Sequence, residues 1–167
     1  WVSKDFVRQG TEQAVAEMIR SGTTCVADGY FYSSHAARAF SDAGLRAVVG
    51  HGIVDFSVPS VPDPAKNIET VAQFIDHWLG RDHLISPAVF AHSPYTCSPA
   101  TLVRAKRLAD DRGVRFFIHL AESASEAQQI IDPQSNSPTG HLAALGLLDS
   151  NCTCIHTVWL NDADIDS

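Results

Sequence analysis

The sequence has 167 residues, of which 45% are hydrophobic and 19% charged, as in an ordinary globular protein built around one core. Its formal net charge of −7 argues against nucleic acid or an anionic membrane as a partner. No apolar run approaches the roughly 20 residues of a membrane span, and the first residues lack the pattern of a signal peptide. Since the sequence does not begin with Met, we expect it to be an internal fragment of a longer protein.

The first half of the chain is predicted to alternate between helices and strands. Ser3 is a candidate N-cap for the first helix, and Gly22 and Gly44 are suited to ending the first two helices. In chain order the predicted elements are a helix up to Gly22, strand 23–28, helix 34–43, strand 46–54, a loop 58–64 with three prolines, and an amphipathic helix 67–79 with Ile68, Val71, Ala72, Ile75 and Leu79 on one face.

The second half continues the same alternation. Ser98 followed by Pro99 is typical of a helix start, and Gly113 of a helix end. In chain order the predicted elements are strand 84–91, helix 99–112, the stretch 114–122, a helix from about residue 125, a polar break 132–138, a helical piece 141–148, strand 152–155 and a helix capped by Asn161. Strict alternation predicts a parallel sheet with right-handed crossovers. No G-x-G-x-x-G or P-loop motif indicates a nucleotide-binding fold.

The four cysteines are interpreted as free thiols. The four residues are Cys25, Cys97, Cys152 and Cys154, and their positions form neither a C-x-x-C pair nor a zinc-knuckle spacing. Three of the four fall on or next to predicted strands. We therefore predict free, buried thiols in a reducing compartment, which indicates a cytoplasmic protein.

The stretch 114–122 carries the clearest chemical signal. Its apolar first part is typical of a strand buried on both faces of a parallel sheet. His119 and Glu122 follow where that run stops, and βα folds carry their chemistry at the C-terminal ends of strands. A neutral imidazole can bind a divalent metal, and a nearby carboxylate can transfer a proton. One His-x-x-Glu pair alone is weak evidence, because such pairs often arise by chance.

Four histidines share this position at or near the end of a predicted strand: His51, His92, His119 and His156. A parallel barrel would bring these strand ends around one pocket, where a metal-dependent hydrolytic site would explain them. The alternative is that each is an ordinary core imidazole. The other four histidines are assigned to solvent or to helix caps: His35, His77, His83 and His141.

Three motifs, taken together and in this order, resemble the amidohydrolase superfamily. They are AHSPY at 91–95, HLAE at 119–122 and IHTVWL at 155–160. The segments 22–28 and 140–148 also fit the superfamily's pattern. The most similar branch is the chlorohydrolase-like one, which holds 5-methylthioadenosine/S-adenosylhomocysteine deaminases and triazine hydrolases.

The resemblance implies a partial TIM-type (β/α)8 barrel, comprising about strands two to six with their helices, as one incomplete domain over residues 1–167. It also implies one catalytic divalent metal, zinc or iron. His119 would be a metal ligand, Glu122 the proton shuttle, and His156 would help to orient the attacking water. His92 would contact the substrate ring, and His51, where some adenosine-type members have Arg, is assigned to substrate binding.

The departures from the superfamily pattern concern the other metal ligands. The His-x-His pair of the first barrel strand and the Asp of the eighth strand are absent from this sequence. Only one of four expected ligands is present, so the fragment itself is expected to be inactive and to bind zinc weakly or not at all. An open barrel also leaves two unpaired sheet edges, which would favour self-association or a homo-oligomer.

For the full-length parent the resemblance implies a metal-dependent amidohydrolase acting on C–N bonds other than peptide bonds. The expected reaction is hydrolytic deamination of a purine nucleoside, such as methylthioadenosine or S-adenosylhomocysteine, or of a related N-heterocycle. Alternatives are a triazine chlorohydrolase or aminohydrolase and a guanine or cytosine deaminase. A second class of function, a scaffold or binding module with structural histidines, remains open.

Overall fold

The computed structural model describes residues 2–130 and 137–166, which contain five strands and seven helices. The strands are β1 (Cys25–Tyr30), β2 (Arg46–Ile53), β3 (Ile85–Ala91), β4 (Phe116–Leu120) and β5 (Cys152–His156). The helices are α1 (Lys4–Arg20), α2 (Ser33–Ala43), α3 (Asn67–Trp78), α4 (Pro99–Arg112), α5 (Glu126–Gln129), α6 (Pro138–Ala144) and α7 (Asp162–Ile165). A short 3₁₀ turn, Pro64–Lys66, precedes α3.

The five strands form one parallel sheet in the order β1-β2-β3-β4-β5. At least one helix lies between each pair of consecutive strands. Sequential parallel strands joined by helices are the repeating unit of a (β/α) barrel. The predicted alternation and parallel pairing are therefore confirmed, and the sheet forms part of a barrel wall.

The helix ends follow the capping residues that the sequence indicated. The Ser3 side chain accepts from the Phe6 N–H at 3.1 Å, and the Ser98 side chain accepts from the Thr101 N–H at 3.3 Å. Gly113 follows α4 with φ of +64°, a left-handed conformation that glycine adopts at little cost. Asn161 begins α7 with a capping box that is completed by Asp164.

Several predicted boundaries differ from the structure by one to four residues, and two of the differences have a clear cause. Leu79, predicted on the buried face of the helix 67–79, is 51% exposed because it has extended backbone angles and lies beyond α3. The helical piece predicted at 141–148 is α6, which begins earlier because the Ser137 side chain caps it by accepting from the Gly140 N–H. Most of the predicted polar break, 131–136, lies outside the described residues.

Alternation along the strands separates a helix-facing side of the sheet from a concave side. Phe116, Ile118 and Leu120 of β4 are buried among the core residues, whereas Phe117 and His119 between them are half-buried. The strand register places Phe117 beside Phe90 of β3 on the same concave side. In β4, His119 therefore faces the concave side, and the apolar residues Phe116, Ile118 and Leu120 fill the other.

The prediction for the cysteines was right about their oxidation state and partly wrong about burial. All four are free thiols. Cys97 is buried, but Cys25 is exposed and Cys152 and Cys154 are half-buried. Cys25 is exposed because β1 is an edge strand of this sheet. Among the described residues, no helix has the length and apolar character needed to cross a membrane.

Candidate active site

The ends of β3, β4 and β5 bring three of the predicted histidines into contact. The rings of His92 and His119 meet edge to face with their centroids 5.2 Å apart, and the rings of His119 and His156 stack at 4.8 Å. Phe90 packs its edge against His119, with 5.0 Å between ring centroids. Adjacent strands of a parallel sheet end at the same edge, which explains why residues far apart in sequence meet here.

Glu122 lies next to this group, two residues after β4 ends. Its Oε1 is 3.5 Å from Nε2 of His156, and the two side chains are 44% and 35% exposed. A carboxylate beside an imidazole at an open strand end can accept and release protons. The structure therefore places Glu122, His92, His119 and His156 at one site, as the sequence predicted for their positions.

His156 reaches the site through an unusual backbone conformation. By strand register it pairs with Leu120, which faces the helices. Its φ of +78°, followed by +50° at Thr157, departs from regular strand geometry, and its ring stacks on His119 on the concave side. Such values are uncommon for non-glycine residues and concentrate at functional sites. The Thr157 N–H donates to Leu120 O at 2.9 Å, which ties the end of β5 to β4.

His92 is held by two hydroxyl groups of the turn that follows β3. Its Nδ1 is 2.9 Å from Thr96 Oγ1 and 3.2 Å from Ser93 Oγ, and these two hydroxyls are themselves 2.8 Å apart. The contacts fix the orientation of the ring at the site. Burial lowers the pKa of His92, and the negative charge of Glu122 partly opposes that effect.

The surroundings of His119 favour its neutral form. Burial is the main cause that lowers its pKa, and the neighbouring rings of His92 and His156 lower it further, while Glu122 acts in the opposite direction. A neutral imidazole is the form that binds metals. The Nδ1 atom of His119 is also buried and has no hydrogen-bond partner among the described residues.

An orphaned buried nitrogen of this kind fits a metal ligand. The donor set within the chain is incomplete, because no group of three His, Cys, Asp or Glu side chains in residues 2–130 and 137–166 is arranged to hold a metal ion. The residues present therefore fit one ligand of a metal site rather than a whole site.

Two cavities open on the concave side beside these residues. One of about 150 Å³ and one of about 270 Å³ share Gly29, Phe90 and His119 in their walls, and the larger also includes His92. Mostly apolar walls with a few polar groups are typical of small-molecule sites.

His51 is the predicted site residue that the structure places elsewhere. It faces the helices, is 4% exposed, and its Nδ1 lies 2.8 Å from Ser33 Oγ at the start of α2. Its Nε2 is 3.3 Å from Ser60 Oγ, and it borders a separate cavity between α2 and α3. The expectation that all four histidines meet in one pocket is therefore wrong for His51, because strand alternation turns it to the opposite side from Gly50 and Gly52.

The four histidines assigned to solvent or to helix caps differ in how exposed they are. His83 is 91% exposed in its side chain, and exposed His77 lies 2.5 Å from an Arg81 nitrogen. His35 is half-buried at the start of α2. His141 is only 2% exposed, which corrects the prediction for that residue, since α6 packs it under the loop that follows β3.

Sequence reasoning missed Glu126, which is fully buried directly behind Glu122. It also missed Thr96 behind His92 and Phe90 against His119. The available signal for Glu126 was a second acid four residues after Glu122, but an acid in a polar stretch is usually exposed. Its burial depends on tertiary contacts that local sequence does not encode.

Comparison with known proteins places these residues in a family. The model of the amidohydrolase family matches residues 1–167. The chain is 39% identical over 164 residues to a 5-methylthioadenosine/S-adenosylhomocysteine deaminase of Aquifex aeolicus, covering 98% of this chain and 38% of that protein. It is 34% identical over 159 residues to a 5'-deoxyadenosine deaminase of Methanopyrus kandleri, covering 95% and 36%.

A solved structure agrees with these matches. An adenosine deaminase from Xanthomonas campestris with bound zinc superposes with a TM-score of 0.93 at 32% identity, covering 99% of this chain and 38% of that one. The chain thus spans less than two fifths of the length of each of these proteins. Together with the strand order, the superposition confirms the predicted partial (β/α)8 barrel. The chain belongs to the amidohydrolase family.

Proposed function

We propose that the full-length protein is a metal-dependent aminohydrolase that deaminates a purine nucleoside of the methylthioadenosine, S-adenosylhomocysteine or 5'-deoxyadenosine kind. The observation that carries the proposal is the cluster of His119, His156 and Glu122 at adjacent strand ends, with 4.8 Å between the two rings and 3.5 Å between His156 and the carboxylate. Relatives named as deaminases of such nucleosides support this substrate class.

His119 would hold a divalent metal together with ligands from the remainder of the full-length protein. The lowered pKa of its ring and its orphaned Nδ1 support that role, and the zinc in the Xanthomonas structure favours zinc over iron. When bound, such a metal supplies a Lewis acid and a water molecule whose pKa falls from 15.7 towards roughly 7.

Glu122 would carry the protons of the reaction. Hydrolytic deamination forms a C–O bond at a ring carbon, breaks the C–NH₂ bond and releases ammonia. Both protons of the water leave its oxygen, one going to the ring nitrogen and one to the departing amino group. The half-exposed carboxylate of Glu122 can accept and pass on each in turn, and His156, 3.5 Å away, would orient the water.

His92, whose ring contacts that of His119, would also contact the substrate ring. The hydroxyls of Ser93 and Thr96 hold its imidazole in place, and it lines the larger concave cavity with Phe90. We extend the proposal to a cytoplasmic location, which the four free thiols support.

Assays of the full-length protein would test the reaction. Ammonia release is measured with methylthioadenosine, S-adenosylhomocysteine, 5'-deoxyadenosine, guanine, cytosine and melamine. We expect the highest kcat/KM with a purine nucleoside. Preference for melamine would instead support a triazine-type hydrolase, and no ammonia from any compound would favour a scaffold role with structural histidines.

The role of Glu122 is tested by Glu122→Gln in the full-length protein. The amide keeps the shape of the side chain but cannot shuttle protons, so we expect kcat to fall about 10²–10⁴-fold while metal content stays unchanged. Glu17→Gln makes the same chemical change at an exposed position of α1 and should leave kcat unaffected. Near-normal turnover in Glu122→Gln would remove this residue from its proposed role.

A further inference from the structure

Glu126 is a fully buried carboxylate immediately behind the site. It is 0% exposed, although it lies in the four-residue helix α5 within a polar stretch. A buried carboxylate is costly unless hydrogen bonds satisfy it. Its Oε2 accepts the backbone N–H of Glu122 at 2.8 Å. Burial raises the pKa of Glu126, and hydrogen bonding to the backbone of the turn partly opposes that effect. The acid therefore binds the backbone of the turn that carries Glu122.

That turn has an unusual conformation. Ala121 has φ of +50°, a left-handed value that residues with a side chain seldom adopt. Consecutive N–H groups around a left-handed residue point into a concavity that binds anions. Oε2 of Glu126 lies at this turn, where it accepts the Glu122 N–H. This left-handed residue lies between His119, the candidate metal ligand, and Glu122, the candidate proton shuttle.

The other side of the turn is tied to the exit of β5. Ala121 O accepts the N–H of Val158 at 3.1 Å and that of Trp159 at 2.9 Å. Leu120 O accepts the N–H of Thr157, the residue after His156. The turn is thus held from two directions, by Glu126 through the Glu122 N–H and by the end of β5 through the carbonyl groups of Leu120 and Ala121.

We propose that Glu126 is a positioning residue, whose buried carboxylate holds the Glu122 N–H and so aims the Glu122 side chain at the reacting atoms beside His119 and His156. The inference rests on the proposed function, since it assigns Glu126 a role in the proton transfer made by Glu122. Glu126 cannot itself meet substrate, because it is fully buried, whereas the Glu122 side chain is 44% exposed and 3.5 Å from His156.

Two substitutions in the full-length enzyme separate positioning from mere packing. Glu126→Gln keeps an oxygen that can accept the Glu122 N–H. The NH₂ group of the glutamine takes the place of Oε1 of Glu126, and that oxygen has no hydrogen-bond partner among the described residues. Glu126→Leu fills the same space without an acceptor. Gln128→Leu, at an exposed position of the same helix, is the matched control.

We expect Glu126→Leu to lower kcat per bound metal about 10–100-fold, with KM changed less than about threefold and metal content retained. Glu126→Gln should keep kcat within about threefold of wild type, and Gln128→Leu should match wild type. In a Glu122→Gln background, Glu126→Leu should cost little more, because the group that it positions is already lost.

A second readout does not depend on turnover. Hydrogen exchange of the Glu122 amide should be about tenfold faster or more in Glu126→Leu than in wild type, and unchanged in Glu126→Gln. Should Glu126→Leu fail to fold, Glu126→Ala replaces it in both measurements. Because this readout needs no substrate, it also distinguishes a wrong positioning role from a wrong substrate assignment.

Several outcomes would overturn the inference. These are wild-type kcat per metal in Glu126→Leu, equal losses in the Leu and Gln variants, full additivity with Glu122→Gln, or unchanged exchange at the Glu122 amide. A loss of metal-loaded protein with unchanged kcat per metal would show that Glu126 is structural only. Absence of ammonia release by the wild type, with the exchange result as expected, would reject the proposed function and keep the hydrogen-bonding role.

Discussion

His51 shows how surroundings set the chemistry of one imidazole. Its two ring nitrogens lie against the hydroxyls of Ser33 and Ser60, and the ring is 4% exposed. A protonated ring there would lose its hydration, and burial lowers the pKa of His51 from 6.5 to about 4. His51 therefore stays neutral in the folded protein down to about pH 4, whereas a histidine in an unfolded chain becomes protonated below about pH 6.5.

This difference predicts a dependence of stability on pH. Between pH 6.5 and about 4 the unfolded chain binds a proton at His51 and the folded chain does not. The free energy of unfolding therefore has its full contribution from His51 above pH 6.5, and that contribution decreases as the pH falls towards 4. At pH 5 the loss from this residue should be roughly 2 kcal/mol. Urea unfolding of the full-length protein at pH 8 and pH 5 would measure it.

The matched comparison uses His51→Gln and His83→Gln. The free energy of unfolding should fall less between pH 8 and pH 5 in His51→Gln than in wild type, by roughly 2 kcal/mol. His83 is 91% exposed in its side chain, so His83→Gln should follow the wild type. Equal pH dependence in wild type and His51→Gln would show that the folded-state pKa of His51 is not lowered.

Among the strands, close packing on the concave side depends on glycine. A Cβ atom on Gly50 of β2 would lie 2.6 Å from Phe90 Cβ, and one on Gly29 of β1 would lie 2.5 Å from the Phe90 ring. Both distances are shorter than ordinary carbon–carbon contacts. The two glycines therefore make the space in which Phe90 reaches across β2 and packs against His119.

Gly50→Ala should consequently destabilise the full-length protein, by about 1–3 kcal/mol from overpacking. The Phe90 Cβ atom is fixed to the backbone of β3 and cannot move away as the end of a flexible side chain can. Gly10→Ala, in α1, offers the opposite case, since its Cβ would meet nothing within 4 Å. That variant should gain about 0.5–1 kcal/mol from helix propensity. Thermal unfolding of both variants tests this, and a Gly50→Ala protein as stable as wild type would contradict the packing argument.

The elements were predictable where their signals are local. Ser98, Pro99 and Gly113 bound α4 as predicted, because caps and glycine stops act within one turn of helix. The strand-end positions of His92, His119 and His156 followed from the alternation of elements. The left-handed angles at His156 and the burial of Glu126 were not predictable, since each depends on contacts between elements distant in sequence. Alternation along β2 puts His51 on the opposite side from Gly50 and Gly52, but which of these sides faces the helices depends on how β2 packs in the fold.

In the molecule as a whole, the site belongs to an incomplete ring of strands. β1 and β5 each pair with one neighbour within the described residues, so each is an edge of the sheet. Val158, Trp159 and Ile165, beyond β5, are 68%, 59% and 70% exposed. A complete barrel closes such edges, and relatives more than twice as long provide the chain to do so.

The 167-residue polypeptide on its own should therefore bind zinc weakly and release no ammonia from purine nucleosides. Catalytic zinc sites use at least three protein ligands, and His119 is the proposed ligand, with a buried Nδ1 that has no hydrogen-bond partner among the described residues. No group of three candidate ligands is arranged to hold a metal ion in those residues. Open edges at β1 and β5 should also make this polypeptide self-associate. Native mass spectrometry and metal analysis of the polypeptide, beside the full-length protein as control, would measure both properties. A monodisperse 18.1 kDa monomer with one tightly bound zinc would contradict the assignment of the missing ligands to the remainder of the protein.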